Sequence, residues 1–436
     1  MTLHDALRAG DSAGIERLFR TAQTEGHEET FREALRDCAA SHPNKVLYRA
    51  WCLRLDVDPG DLASEGGRYR GLLIGASALV GLGMALLAQG RAPVPIPGEA
   101  DPLFWVGWAP LLTLGILAFL ARFEGSAPAR IRYAVAAAGV VAVALFVGLT
   151  FGGRTDDVAM LAALHLPFVC WAAVGAALCM GHPDSSRQAY AFLVKSVETV
   201  LTGGLFFGAG MVFAGLTYGI FNVLGVSWPE DELRVVVAWA VGAIPMLALG
   251  AVYDPAFPPA GQDWQTGLTR TLRILSRLLL PPALGVLLIY VLWFIPAYFW
   301  KPFEEREVLI VYNITILAIL VLMTLVISGT ADEMGERLRN AVAVMGGMTL
   351  ILNLYALAAV GTRTLTFGLT PNRMAVLGWN TATLAILAGV GAWLWKAARR
   401  TAVSDWREAL GRFTPLAALW AFILLFGLSL FISSNP

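Results

Sequence analysis

Apolar and polar residues along this chain separate in long blocks. Residues 1–66 mix short apolar stripes with charge, whereas from Gly71 onward apolar runs follow one another with short polar breaks between them. A helix needs about 20 mostly apolar residues to cross the hydrocarbon core of a bilayer. Eleven segments meet that requirement, at 71–89, 103–121, 131–151, 158–180, 199–225, 234–253, 280–300, 307–329, 340–361, 374–396 and 414–433. The pattern predicts an all-α polytopic transmembrane helix bundle behind a small N-terminal soluble helical head. Pro110, Pro245 and Pro296 fall inside spans and are read as kinks, because neighbouring helices can satisfy the backbone groups that proline frees.

Within the head the period changes to that of short amphipathic helices. Asp11 is placed to cap a helix carrying Ile15, Leu18 and Phe19, and a second helix after Glu28 presents Phe31, Leu35 and Cys38 on one face. A third is expected near 46–55, ending at the DPGD turn. The opening TLHDALRAGD resembles the first helix of an ankyrin repeat, but such solenoids need about three repeats to bury a core. A helical bundle or hairpin pair is expected instead.

Charge sharpens the picture. The first 70 residues hold 22 of the chain's 64 charged groups, and 57% of all residues are hydrophobic. A soluble chain of this length would carry about 25% charge, so that class is excluded. With the head placed in the cytosol, 25 of the 32 Lys and Arg fall on the inner side and seven outside. The positive-inside rule therefore predicts a cytosolic N-terminus and a C-terminus outside. Net charge is zero and no basic stripe is present, so nucleic-acid binding lacks its electrostatic footprint. No signal peptide is expected, since the chain opens polar. Segmentation by pattern gives a cytosolic head (1–66), a four-span segment (71–181), a long membrane region (187–398), and an interfacial helix with the last span (401–436).

Two connections read as basic amphipathic helices, 265–279 with Arg270, Arg273 and Arg277, and 401–413 with Trp406 as an interface anchor. The first is expected to lie in the interface or to continue span seven until Pro281-Pro282 redirects the chain. The fifth span is rich in glycine, with Gly204/Gly208 and Gly215/Gly219 at close-packing spacing. That predicts a central place in the bundle, or a homo-oligomer interface through 199–225.

Polar groups inside a membrane are the default candidates for function. His165, Asn313, Asn353 and Asn380 come from four different spans, all roughly 9–12 Å below the outer boundary at 1.5 Å per residue. If their faces converge they form a polar pocket with Arg373 at its rim; if not, each is an interhelical hydrogen bond. At the inner interface, Lys195 and Glu198 share a helical face and Asp254 follows span six. Local pairing and a turn-forming Asp-Pro are the plain readings of these. The four cysteines, Cys38, Cys52, Cys170 and Cys179, have metal-ligand spacing neither with one another nor with His. No cofactor is expected, and no G-x-S-x-G, P-loop or H-E-x-x-H motif occurs.

Residues 187–398 resemble the uncharacterised bacterial membrane-protein family DUF4153. The likeness is carried by Ala189 to Gly210 (AYAFLVKSVETVLTGGLFFGAG), by Arg273 to Trp293 (RILSRLLLPPALGVLLIYVLW), and by TRTLTFGLTPNRM, Thr362 to Met374. The last is similar to the family's Y-G-L-T-x-x-R signature, with Phe367 in place of Tyr and Arg373 at the Arg position. The resemblance implies a multi-pass bacterial inner-membrane protein and no established reaction. Thr370 and Pro371 also read simply as the cap and first residue of span ten. The expected function is binding or passage of a small solute, ion or lipid group. A membrane sensor or scaffold whose head recruits a cytosolic protein is the alternative, and a membrane-embedded transferase ranks third.

Overall fold

The structure is a computed structural model that describes residues 12–41, 51–52, 54–55, 60–88, 102–124, 126–152, 154, 156–182, 184–224, 230–255, 257–262, 267–328, 335–398 and 405–432. Every regular element among them is helical. The head contributes α1 (Ser12–Thr24) and α2 (Glu28–Ser41), and the body α3 (Gly60–Ala88), α4 (Pro102–Ala121), α5 (Ala127–Phe151), α6 (Asp157–Cys179), α7 (Ser185–Val223) and α8 (Glu230–Val252). There follow α9 (Gly267–Ile289), α10 (Arg306–Val326), α11 (Glu336–Phe367), α12 (Pro371–Ala398), α13 (Asp405–Phe413) and α14 (Pro415–Gly427). Eleven stretches of helix among the described residues are long and apolar enough to span a bilayer, one for each predicted segment. The chain is a multi-pass membrane protein.

In the head, Ile15, Phe19, Phe31, Leu35 and Trp51 are buried together, and the Phe19 and Phe31 ring centroids lie 5.3 Å apart. The Arg54 guanidinium lies 4.6 Å above the Trp51 ring and reaches Glu16 at 2.6 Å. Asp11 and the ankyrin-like opening lie outside the described residues, as do 46–50 of the third expected helix. Helix α3 already begins at Gly60, so the first span continues the polar stretch before it without a break.

Two packed cores hold the body. The first joins α3, α4, α5, α6, α8 and α14 through residues such as Met84, Leu117, Val147, Leu166, Met246 and Leu424. The second joins α9, α10, α11 and α13 through Leu280, Ile316, Met345, Leu352 and Leu410. Helix α12 serves both, with Ala375 in the first core and Ile386 and Val390 in the second. The start of α7 does the same through Phe192 on one side and Tyr190 and Val194 on the other.

Three expectations change here. The glycine-rich stretch of α7 is not central: Gly204, Gly208, Gly210, Gly215 and Gly219 face open space, and Leu205, Val212, Phe213 and Leu216 are exposed. A close glycine contact lies instead between α3 and α8, where a Cβ on Gly242 would meet the Val80 carbonyl at 2.8 Å. Pro281 and Pro282 do not end the helix, since α9 continues through them to Ile289. The disturbance comes later, as a π-turn at Tyr290–Phe294 in which the Ile295 N–H reaches back to the Tyr290 carbonyl. Pro296 has no N–H to continue the ordinary ladder, and a widened turn just before it absorbs the defect. Finally, α13 is no lipid-facing anchor: Trp406, Ala409 and Leu410 are buried, and Gly411 lies against the Ser186 carbonyl of α7.

Candidate functional site

The four polar residues of the predicted layer do not meet in one place. Asn353 on α11 donates from Nδ2 to Oδ1 of Asn380 on α12 at 3.1 Å, and both side chains are fully buried. Asn380 in turn donates to the Val376 carbonyl at 2.9 Å. His165 meets a different face of α12, because Trp379 and Asn380 are neighbours in sequence and point about 100° apart on a helix. Its Nε2 accepts the Trp379 indole N–H at 2.8 Å, and its Nδ1 lies 2.7 Å from the Leu161 carbonyl. That pair of partners assigns the neutral tautomer with the proton on Nδ1. Asn313 is half-buried on α10 and takes part in neither contact. The Asn353, Asn380 and His165 groups are therefore used in bonds between helices, and the one buried orphan among them is Oδ1 of Asn353.

At the other end of the bundle, Lys195 lies 2.9 Å from Glu198 with both side chains buried within α7's packed half. The ends of three helices meet nearby. The carbonyls closing α10 accept from Tyr190 Oη on α7 (to Thr324, 3.0 Å), from Arg277 Nε on α9 (to Val326, 3.4 Å) and from Arg407 Nε on α13 (to Ile327, 3.1 Å). Cations at the C-terminal end of a helix complement its dipole and satisfy carbonyls that have no intrahelical partner. Tyr190 and the two arginines thus fasten three elements to α10. Asp254 is a turn residue: its N–H donates to Gln262 Oε1 at 2.9 Å, and Gln262 Nε2 donates back to its carbonyl at 2.8 Å.

A groove of about 420 Å³ lies between α12 and α14. Met374, Leu377, Gly378, Thr381, Ala382 and Ala385 form one wall, and Leu416, Leu419, Trp420 and Ile423 the other. The α12 residues recur at three- and four-residue spacing, so they make a single face. Gly378 is where the helices come closest, with the Trp420 indole lying where a side chain would project. Thr381 carries the one hydroxyl of the lining, and it is spent on the Leu377 carbonyl at 2.7 Å.

Leu369 closes one end of the groove and belongs to the turn between α11 and α12. Gly368 ends α11 with φ +79°, a conformation that favours glycine. The Thr370 hydroxyl accepts the Arg373 N–H at 3.3 Å, capping α12, and Pro371 supplies its first residue. Arg373 folds back, donating from Nη1 to the Gly368 carbonyl at 2.6 Å and to the Phe367 carbonyl at 3.1 Å. Asn372 reaches Asp157 at the start of α6 at 3.5 Å. Among the described residues, no three His, Cys, Asp or Glu side chains gather as metal ligands would.

No family model, no curated protein and no solved structure matches this chain. Reasoning from sequence missed Trp379 as the partner of His165 and missed the groove altogether. The groove's α12 wall carries a readable signal, small residues at helical spacing from Gly378 to Ala385. Its other wall, from a helix some 40 residues further along, does not.

Proposed function

We propose that this multi-pass membrane protein binds a membrane lipid, seating one acyl chain in the groove between α12 and α14. The observation that carries the reading is the groove itself: apolar, open sideways, and of a volume within the range of ligand sites. From Met374 to Ala385 it runs about 16 Å along α12, roughly half of a ~30 Å hydrocarbon core and so the depth of one leaflet. Passage of a solute or ion has less support, because the Asn353–Asn380 and His165–Trp379 groups are already spent on each other. Recruitment of a partner by the head has less as well, since no large hydrophobic residue is exposed among the head's described residues. From the Lys and Arg count we place the head in the cytosol, and it is the DUF4153 likeness that points to a bacterial inner membrane. The GLTPNR turn is what supports the DUF4153 likeness.

The test is photo-crosslinking in reconstituted membranes, with a phospholipid whose acyl chain carries a photoactivatable group at mid-length. Adducts are expected to concentrate on residues 374–385 and 416–423, and Ala385→Trp, which fills the groove, is expected to remove them. Adducts spread over all lipid-facing helices in proportion to exposure, the bare half of α7 included, would overturn the reading.

A further inference from the structure

We infer that Arg373 reads the phosphate of the lipid in that groove, so that the site selects phospholipids over lipids that lack a phosphate. The inference rests on the acyl-chain reading above and adds the headgroup. Arg373 directly precedes Met374, the first α12 residue of the groove, and binds the carbonyl next to Leu369, which closes its end. Its guanidinium is therefore held at the groove mouth. Nη1 is occupied by the Gly368 and Phe367 carbonyls, and the guanidinium stacks 5.6 Å from the centre of the Phe367 ring. Those contacts fix the plane of the fork. They use one edge of it and leave Nε and Nη2 without a hydrogen-bond partner among the described residues. That remaining edge is the bidentate one, whose two parallel N–H groups match the oxygens of a phosphate.

Neighbouring charges leave Arg373 to such an anion. Asp157 is engaged by Asn372, and Asp156 is engaged by Arg154 and by the Ala159 N–H at 3.0 Å. The mouth thus offers a positioned cation above an apolar channel, the order of charge and oil found in a phospholipid.

The experiment is native mass spectrometry of the intact detergent-solubilised protein with phosphatidylglycerol, with diacylglycerol of the same chains, and with water-soluble glycerol phosphate. The unmodified protein is expected to retain phosphatidylglycerol about tenfold more tightly than diacylglycerol, the size of one charge-assisted hydrogen bond. Arg373→Gln is expected to abolish that preference while diacylglycerol binding stays unchanged, which also shows that the α11–α12 turn has folded. Arg373→Lys, which keeps the charge and loses the fork, is expected to restore part of it. A preference unchanged in Arg373→Gln would overturn the inference and leave the groove reading standing. Glycerol phosphate competing as well as the phospholipid would overturn the assignment to a lipid. Ala385→Trp leaving both lipids bound would defeat the groove reading, and the inference with it.

Discussion

Trp379 donates its indole N–H to Nε2 of His165 at 2.8 Å, each residue lying eight positions into its own helix. Together with the Asn372–Asp157 contact at the helix starts, the bond shows that α6 and α12 run parallel and in step. About 12 Å separates the two contacts along the axes. The pair joins the first core to the helix that carries the groove.

Trp379→Phe keeps the ring and removes the donor. The variant is expected to lose about 0.5–1.5 kcal/mol, the net worth of an ordinary hydrogen bond, read as a lower thermal midpoint in detergent. Adding His165→Leu to it is expected to cost less than the two single losses together, because the second change removes an acceptor already orphaned.

Asn353 and Asn380 form the second tie on α12. A double-mutant cycle to Leu at both positions is expected to return a coupling of about 0.6 kcal/mol, at most ~1.7, as polar bonds between membrane helices do. A coupling of zero in reversible unfolding from detergent would mean that the two amides do not bond in the membrane.

Backbone geometry makes a sharper demand at the α11–α12 turn. Gly368→Ala places a side chain at φ +79° and is expected to cost about 1–3 kcal/mol in the same unfolding measurement. Gly361→Ala, six residues before the end of the same helix and with open space around it, is expected to stabilise or to be neutral.

The head has its own acid limit. Hydrogen bonds from Arg54 and then Arg20 hold the half-buried Glu16 carboxyl below its ordinary range. A carboxylate lowered in this way adds stability above the ordinary carboxylate range and loses it as pH falls through its own lowered value. Hydrogen exchange in residues 12–24 of the intact protein, corrected for intrinsic rate, is therefore expected to accelerate toward acid pH. Glu16→Gln should start faster and show less of that acceleration.

Spans were legible because crossing a bilayer demands one long apolar run, and eleven such runs stand one after another here. Their ends were not. Helix α7 begins at Ser185 and not near 199 because Gln188, Lys195 and Glu198 are buried against other helices, a stabilisation that hydropathy does not register. Helix α11 likewise continues to Phe367, through Thr362 and Arg363. Residue types at the candidate site were legible in the same limited way. Burying an amide or imidazole in a membrane requires a partner, so His165, Asn353 and Asn380 announced themselves. Which partner each found depends on the rotation of one helix against the next, and that is fixed by contacts such as Gly378 against Trp420, far apart in sequence.

A structure of the protein in lipid nanodiscs tests the central claim most directly. Elongated density is expected along the α12–α14 groove, running from the Arg373 side toward Ala385, together with its loss in Ala385→Trp. A groove that is empty, or closed by α14 moving against α12 in the bilayer, would contradict it.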